Sequence, residues 1–164
     1  MIKITFLGTT CMQPTKTRNH SGIYISYEKE NILFDCGEGT QRQLRIANLK
    51  PSKITRICIS HWHGDHVMGL PGLLSTMAAD QYSKTLHIYG PKGIKRQIAF
   101  MQKAFPNKFE IGLEIHEVKP GIIFKDNKIT LETHKLNHCI SCFGYSIIEK
   151  DKLKINLSKL KKIG

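Results

Sequence analysis

Ser60-His61-Trp62-His63-Gly64-Asp65-His66 packs three imidazoles and a carboxylate into seven residues, directly after the apolar run Ile57-Cys58-Ile59. A β-branched run that stops at a polar cluster reads as a buried strand ending in a loop. Gathering that many titratable groups at a strand end carries a desolvation cost, which a divalent cation offsets. His61 and His63 can turn to one side and chelate one ion, while Asp65 and His66 can reach a second. Histidine nitrogen with carboxylate oxygen suits zinc, with manganese or iron as alternatives. Leu136-Asn137-His138 ends a later strand in the same way, so His138 is the candidate distant contributor.

The elements that must carry these groups are legible around them. Ile2 to Leu7 reads as a first strand, closed by Gly8-Thr9-Thr10. A polar loop follows, in which Pro14, Lys16, Arg18 and Asn19 offer two cations and an amide for a phosphate or base contact. Ile23–Tyr27 and Asn31–Asp35 form a hairpin around Glu28-Lys29-Glu30. Asp35 then either sits beneath the histidine loop or caps the next helix. Gln41 to Leu49 is a short helix with Leu44, Ile46 and Leu49 as its apolar positions. Leu70 to Ala79 is a second helix whose N-terminus faces the anionic substrate side. Leu86–Tyr89 is a strand, and Gly93 to Phe105 a third helix with Ile94, Ile98, Met101 and Phe105 as core. Strands follow at about 113–118, 122–124, 128–135 and 143–148. His87, His116 and His134 alternate with apolar residues and read as ordinary strand positions. Cys139-x-x-Cys142 has no second pair, so it supports neither a zinc knuckle nor a redox motif.

Composition narrows the partner class. The chain has 164 residues, enough for one domain with a real core, and carries 25 basic against 13 acidic residues. A net charge of +12 favours a polyanion, nucleic acid being the usual one. The tail from Lys150 to Gly164 holds six lysines against Asp151, and Asn156 could cap a short helix there. Five cysteines without a framework spacing point to a reduced, cytoplasmic interior. No apolar run approaches a membrane span, and Met1-Ile2-Lys3-Ile4 begins a strand rather than a signal peptide.

With these residues in place the sequence resembles ribonuclease Z, a tRNA 3′-processing endonuclease family of the metallo-β-lactamase superfamily. His61, His63, Asp65 and His66 match the superfamily signature H-x-H-x-D-H. Phe6-Leu7-Gly8-Thr9, the Pro14/Lys16/Arg18/Asn19 loop, Phe34 to Gln41, His66 to Gly72 and Asn137-His138 before Phe143-Gly144-Tyr145 are each similar to family segments. The resemblance implies an α/β fold with a mixed sheet, the metallo-β-lactamase-like αβ/βα sandwich, here mainly its first half. Residues 1–149 would be that N-terminal half, and 150–164 a basic tail leading toward a tRNA-gripping arm. It also implies a zinc-dependent endoribonuclease that removes 3′ trailers from precursor tRNA, leaving a 3′-hydroxyl. His61, His63 and His138 would hold one Zn2+, with Asp65 and His66 contributing to a second and Asp65 acting as general base. Pro14, Lys16, Arg18 and Asn19 would meet the acceptor end. Family members are longer, and their second half supplies a bridging aspartate, another ligand histidine and a catalytic histidine. The expectation for this chain alone is therefore one zinc or none, and little activity. The alternatives are another hydrolase of the fold, of thioesterase type, or a non-catalytic RNA-binding fragment. An exposed sheet face predicts a homodimer.

Overall fold

The computed structural model describes residues 1–105 and 111–150; the basic tail lies outside the described residues, apart from Lys150. Strands β1 (Lys3–Gly8), β2 (Gly22–Tyr27) and β3 (Glu30–Phe34) pair antiparallel, and β4 (Arg56–Cys58), β5 (Thr85–Gly90) and β6 (Gly112–Glu117) continue the sheet in parallel. Connection length decides which pairing forms. The β2–β3 link is a tight turn with Glu28 at φ 52°, so the chain reverses on itself. Each later link contains a helix, which allows a parallel return. The helices are α1 (Thr40–Ile46), α2 (Gly64–Val67), α3 (Leu70–Ala79) and α4 (Ile94–Ala104), with a 3-10 turn at Pro51–Lys53.

The helices cover one face of this six-stranded sheet. Leu44, Leu73, Leu74, Met77, Ile94 and Ile98 are fully buried there against Leu33, Ile57, Leu86 and Ile88. Each such side chain contributes about 1.5–3 kcal/mol. An exposed ion pair is worth only about 0–1 kcal/mol, so this layer, rather than surface charge, holds the fold. On the other face lies a three-stranded antiparallel sheet, β7 (Gly121–Lys125), β8 (Ile129–Leu136) and β9 (Cys142–Glu149). Tyr27, Ile32, Cys58 and Tyr89 meet Ile129, Leu131 and Phe143 between the two sheets. The layers are helix, mixed sheet, second sheet, which is the expected α/β class and the expected first half of a sandwich. No helix among the described residues is long and apolar enough to cross a membrane.

Two of the apolar helix positions, Ile46 and the expected core residue Phe105, are exposed. Ile46 is 59% exposed, because as the last residue of α1 it points away from the face that Leu44 buries. Asn48 adopts φ 55°, its N–H donates to Arg45 O, and Leu49 N–H donates to Leu44 O at 2.8 Å. That is a Schellman closure, with asparagine in the left-handed position and Leu49 folded back toward Leu44. Ile46, two residues from Leu44, is left on the outer side. Phe105 is 46% exposed, since α4 stops at Ala104 and Phe105 itself is extended. Helix α3 spans the residues expected of it.

Candidate metal centre

Three strand ends meet at one place, and backbone bonds fix them there. Past β3, Asp35 turns into the left-handed region at φ 56°, and its N–H donates to Cys58 O at 3.0 Å. Past β4, Ile59 N–H donates to Tyr89 O at 2.8 Å, and Ser60 O accepts from Phe143 N–H at 2.9 Å. The Tyr145 hydroxyl donates to Ile59 O at 2.9 Å, tying β9 to the residue before the histidine segment. Burial, with the charges of Cys58 and Asp35, pushes the Tyr145 phenol far up, so it stays a donor.

His61, His63 and His138 converge. His61 Nε2 lies 3.1 Å from His63 Nδ1, which lies 3.3 Å from His138 Nε2, and the three ligand atoms all fall within 4.8 Å of one another. Three ring nitrogens facing one point cannot each be supplied with a hydrogen bond, whereas a cation accepts a lone pair from each. The donor set therefore fits a metal such as zinc. Burial, then the neighbouring His66, lowers the pKa of His61, with His63 and His138 adding to the effect. The ring is thereby kept neutral and able to ligate.

Asp65 and His66 stand beside this cluster on α2, a short helix the sequence reading took for loop. Asp65 is buried, with Oδ2 3.4 Å from His66 Nε2. His66 Nδ1 approaches Asp35 Oδ2 at 2.6 Å. Burial lowers the His66 pKa, but the hydrogen bond and charge of Asp35, with Asp65, outweigh it and the net shift is upward. Of the two roles weighed for Asp35, the geometry shows the place beneath the histidines. Helix α1 has Gly39 at its start and no side-chain cap. The segment is clamped from behind, where Cys36 N–H donates to His66 O at 2.7 Å and Gly69 N–H donates to Cys36 O at 2.9 Å. The first N–H before α3 is thus taken up by protein.

Pro14, Lys16 and Arg18 are exposed and Asn19 half-buried. Thr15 Oγ1 accepts from Arg18 N–H at 2.9 Å, and Asn19 O accepts from Thr9 and Thr10 N–H, so the loop has a defined shape. Asn19 Nδ2 donates to Glu38 O, and Ser21 Oγ reaches Asp35 Oδ2 at 3.3 Å. The loop is therefore fastened to the turn that carries Asp35. Cys139, which the sequence offers only as half of a lone Cys-x-x-Cys, has its Sγ 3.9 Å from His63 Nε2 and 3.8 Å from His138 Nε2. Its adjacency to His138 was the available signal. His134 bonds Ser146 Oγ at 3.0 Å, an ordinary strand position as expected. His87 and His116 are also strand positions, on β5 and β6, and they meet each other and Glu114.

Comparison with known proteins finds relatives in sequence and in fold. The family model described as Anti-Pycsar protein Apyc1 matches residues 2–157. A ribonuclease Z of Methanococcus aeolicus is 42% identical over 166 aligned positions, covering 99% of this chain and 52% of that protein. The chain thus spans about half the length of the curated relatives it matches. The crystal structure of human tRNase Z, short form, superposes with a TM-score of 0.83 at 36% identity, covering 92% of this chain and 64% of that one. The metallo-beta-lactamase fold protein YhfI of Bacillus subtilis superposes at 0.71 with 22% identity, covering 90% and 57%, and shows the fold alone.

Proposed function

On the premise that this chain belongs to the Anti-Pycsar protein Apyc1 family, we propose that it carries the metal-binding half of a ribonuclease Z-type endoribonuclease acting on precursor tRNA. The observation that supports this most is the convergence of His61, His63 and His138 beside Asp65 and His66. The match to proteins named ribonuclease Z and tRNase Z adds to it.

In this reading His61, His63 and His138 hold one Zn2+, and Asp65 and His66 offer part of a second site. A bound zinc ion supplies Lewis acidity toward a phosphoryl oxygen. Asp65, buried beside His66, would orient the attacking water and take its proton. Asp35 holds the His66 ring in one orientation. Lys16 and Arg18 neutralise phosphates near the acceptor end, and Pro14 and Asn19 keep the loop in shape. The residues that would complete the second metal site are not among these, so the chain alone turns over slowly. A cytoplasmic setting goes with such a substrate. A second copy covers the inner face of β1, where Ile4 and Phe6 are 54% and 66% exposed. Light scattering that reports a monomer would remove that part.

The experiment is a side-by-side assay of the zinc-loaded chain on precursor tRNA and on a thioester. Salt-sensitive tRNA binding with slow 3′-trailer cleavage, lost in Asp65→Asn, is the expected result. Thioester hydrolysis without RNA binding would overturn the reading.

A further inference from the structure

On the inter-sheet face of the six-stranded sheet, at its β6 edge, a second group of donors has been brought together by strand register alone. His87 pairs with Glu114 across β5 and β6, and Tyr89 pairs with His116. His87, Tyr89, Glu114 and His116 therefore share one face, because alternate residues of a strand point the same way. His87 Nδ1 lies 3.3 Å from His116 Nε2 and 3.3 Å from Glu114 Oε2, and His116 Nε2 lies 3.8 Å from that same oxygen.

We propose that His87, Glu114 and His116 form a second metal site, distinct from the histidine cluster at the strand ends, that takes a tetrahedral divalent cation of the zinc or cobalt kind and links β6 to β5. The geometry has the right scale. Ligands about 2.0–2.2 Å from a tetrahedral ion lie about 3.3–3.6 Å from one another. Two of the three donor separations fall in that range and the third is slightly longer. Hydrogen bonding accounts for the arrangement less well. Both imidazole nitrogens address a single carboxylate oxygen while facing each other, which crowds two N–H groups into one place. A cation would instead accept all three lone pairs and keep a fourth position open to solvent.

The site is also preformed. The His116 ring stacks on Tyr89 at 4.6 Å and 17°, and Tyr89 is held through its hydroxyl by Arg56 Nη1 at 3.0 Å. Besides His87, the positive charges that act on His116 are Lys95 and Arg56, and Glu114 is the negative one. The Arg56 guanidinium is already met by Glu30 at 3.2 Å and lies over Phe124. The two clusters are separate in the sheet as well as in residues. His87 pairs with Arg56, the first residue of β4, whereas His61 lies beyond that strand's other end. Among the described residues β6 pairs with β5 alone, so a metal here would fasten that edge of the sheet.

The test removes the first cluster and asks whether metal still binds. A His61→Ala/His63→Ala/His138→Ala chain, stripped with a chelator, is titrated with Co2+ and followed by its visible d–d absorption. About one equivalent with tetrahedral intensity is expected, weakened about tenfold or more by Glu114→Gln and abolished by His87→Asn/His116→Asn. No uptake by a chain whose circular dichroism is native would overturn the proposal, as would uptake indifferent to Glu114→Gln. If the triple variant does not fold, zinc is counted in the otherwise unaltered chain. There, a drop of about one equivalent on His116→Gln supports the site, and an unchanged count overturns it.

Discussion

Asp35 Oδ2 sits 2.6 Å from His66 Nδ1, and the same carboxylate accepts from Ser60 N–H at 2.8 Å, Ser60 Oγ at 3.0 Å and Ser21 Oγ at 3.3 Å. A carboxylate has acceptor capacity for all of these and no hydrogen to give. His66 must then carry its hydrogen on Nδ1, leaving Nε2 as the ligating atom beside Asp65. The Ser60 hydroxyl, having donated to Asp35, accepts from His61 Nδ1 at 3.0 Å, which turns the His61 Nε2 lone pair toward His63 and His138. One acid thus sets the tautomer of two rings.

The first prediction follows from that arrangement. Asp35→Asn keeps the shape but replaces one acceptor by a donor, so a ring must turn or lose its partner. Zinc affinity of the chain should fall about 10–100-fold, read by competition with a chromogenic chelator. In the metal-free protein the raised His66 pKa should move down toward the ordinary imidazole value. A raised pKa stabilises the fold fully below the unfolded value and is lost as pH rises through the folded one. Asp35→Asn should therefore cost most stability in mildly acidic solution, checked by Tm against pH with and without the substitution.

Backbone packing behind the histidines gives a second test. A Cβ on Gly69 would lie 2.1 Å from Gly37 O and 2.9 Å from Cys36 O, both backbone atoms that cannot swing away. Gly69→Ala should lower stability by about 1–3 kcal/mol, a Tm loss of about 2–12 °C. Gly144→Ala is the control, because its nearest neighbour is the Leu136 side chain at 3.4 Å. Equal Tm values for the two variants would refute the account.

Why some of this was legible and some not depends on whether the cause is local. The pattern of β-branched runs stopping at polar clusters is local, and it located β4, the histidines after it and His138 after β8. Helix α3 was bounded by its own residues. The α1 terminus was missed because Asn48 closes the helix through a backbone conformation, while apolar type alone grouped Ile46 with Leu44 and Leu49. The short α2 was hidden because Gly64-Asp65-His66-Val67 has neither the length nor the apolar spacing of a helix. The meeting of His87 with Glu114 and His116 depends on the β5–β6 register, and parallel register between distant strands has no signature in either strand.

The loop charges make a third prediction. Lys16 and Arg18 are exposed on a loop whose shape is set by Thr15 and Asn19, so replacing them leaves the fold alone. Lys16→Ala/Arg18→Ala should weaken tRNA binding similarly for all sequences and reduce the slope of log affinity against log salt by about 1–2. Filter binding across a salt series reads this directly. An unchanged slope would take the loop out of the RNA surface.

Acid behaviour of the β7–β8 turn is the fourth. Asp126 Oδ1 accepts from Ile129 N–H and Lys128 N–H, each at 2.7 Å, and these bonds, Ile129 first, hold its carboxyl below the usual carboxylate range. A depressed acid stabilises the fold above its unfolded pKa and is lost as pH falls through the folded one. Asp126→Asn should therefore lower stability slightly at neutral pH, leave it nearly unchanged in strong acid, and so flatten the acid limb of a stability–pH curve below about pH 4. The carboxyl is only partly buried, so the effect is small; an NMR titration of Asp126 is the cleaner readout.

Tyr145 provides the last. Its ring packs against Phe34 at 5.6 Å between centroids, and its hydroxyl supplies Ile59 O, one residue before Ser60. Tyr145→Phe preserves the packing and deletes only the hydroxyl, leaving a buried carbonyl short of a donor. The cost should be about 1–3 kcal/mol, visible in urea denaturation as a lower midpoint at unchanged slope. Because the Ile59 carbonyl adjoins the turn into the histidines, the variant should also bind zinc more weakly than its stability loss alone explains. A Tyr145→Phe protein with wild-type zinc affinity would separate the strand anchor from the metal centre, and would show that Phe143 N–H on Ser60 O suffices to hold the loop.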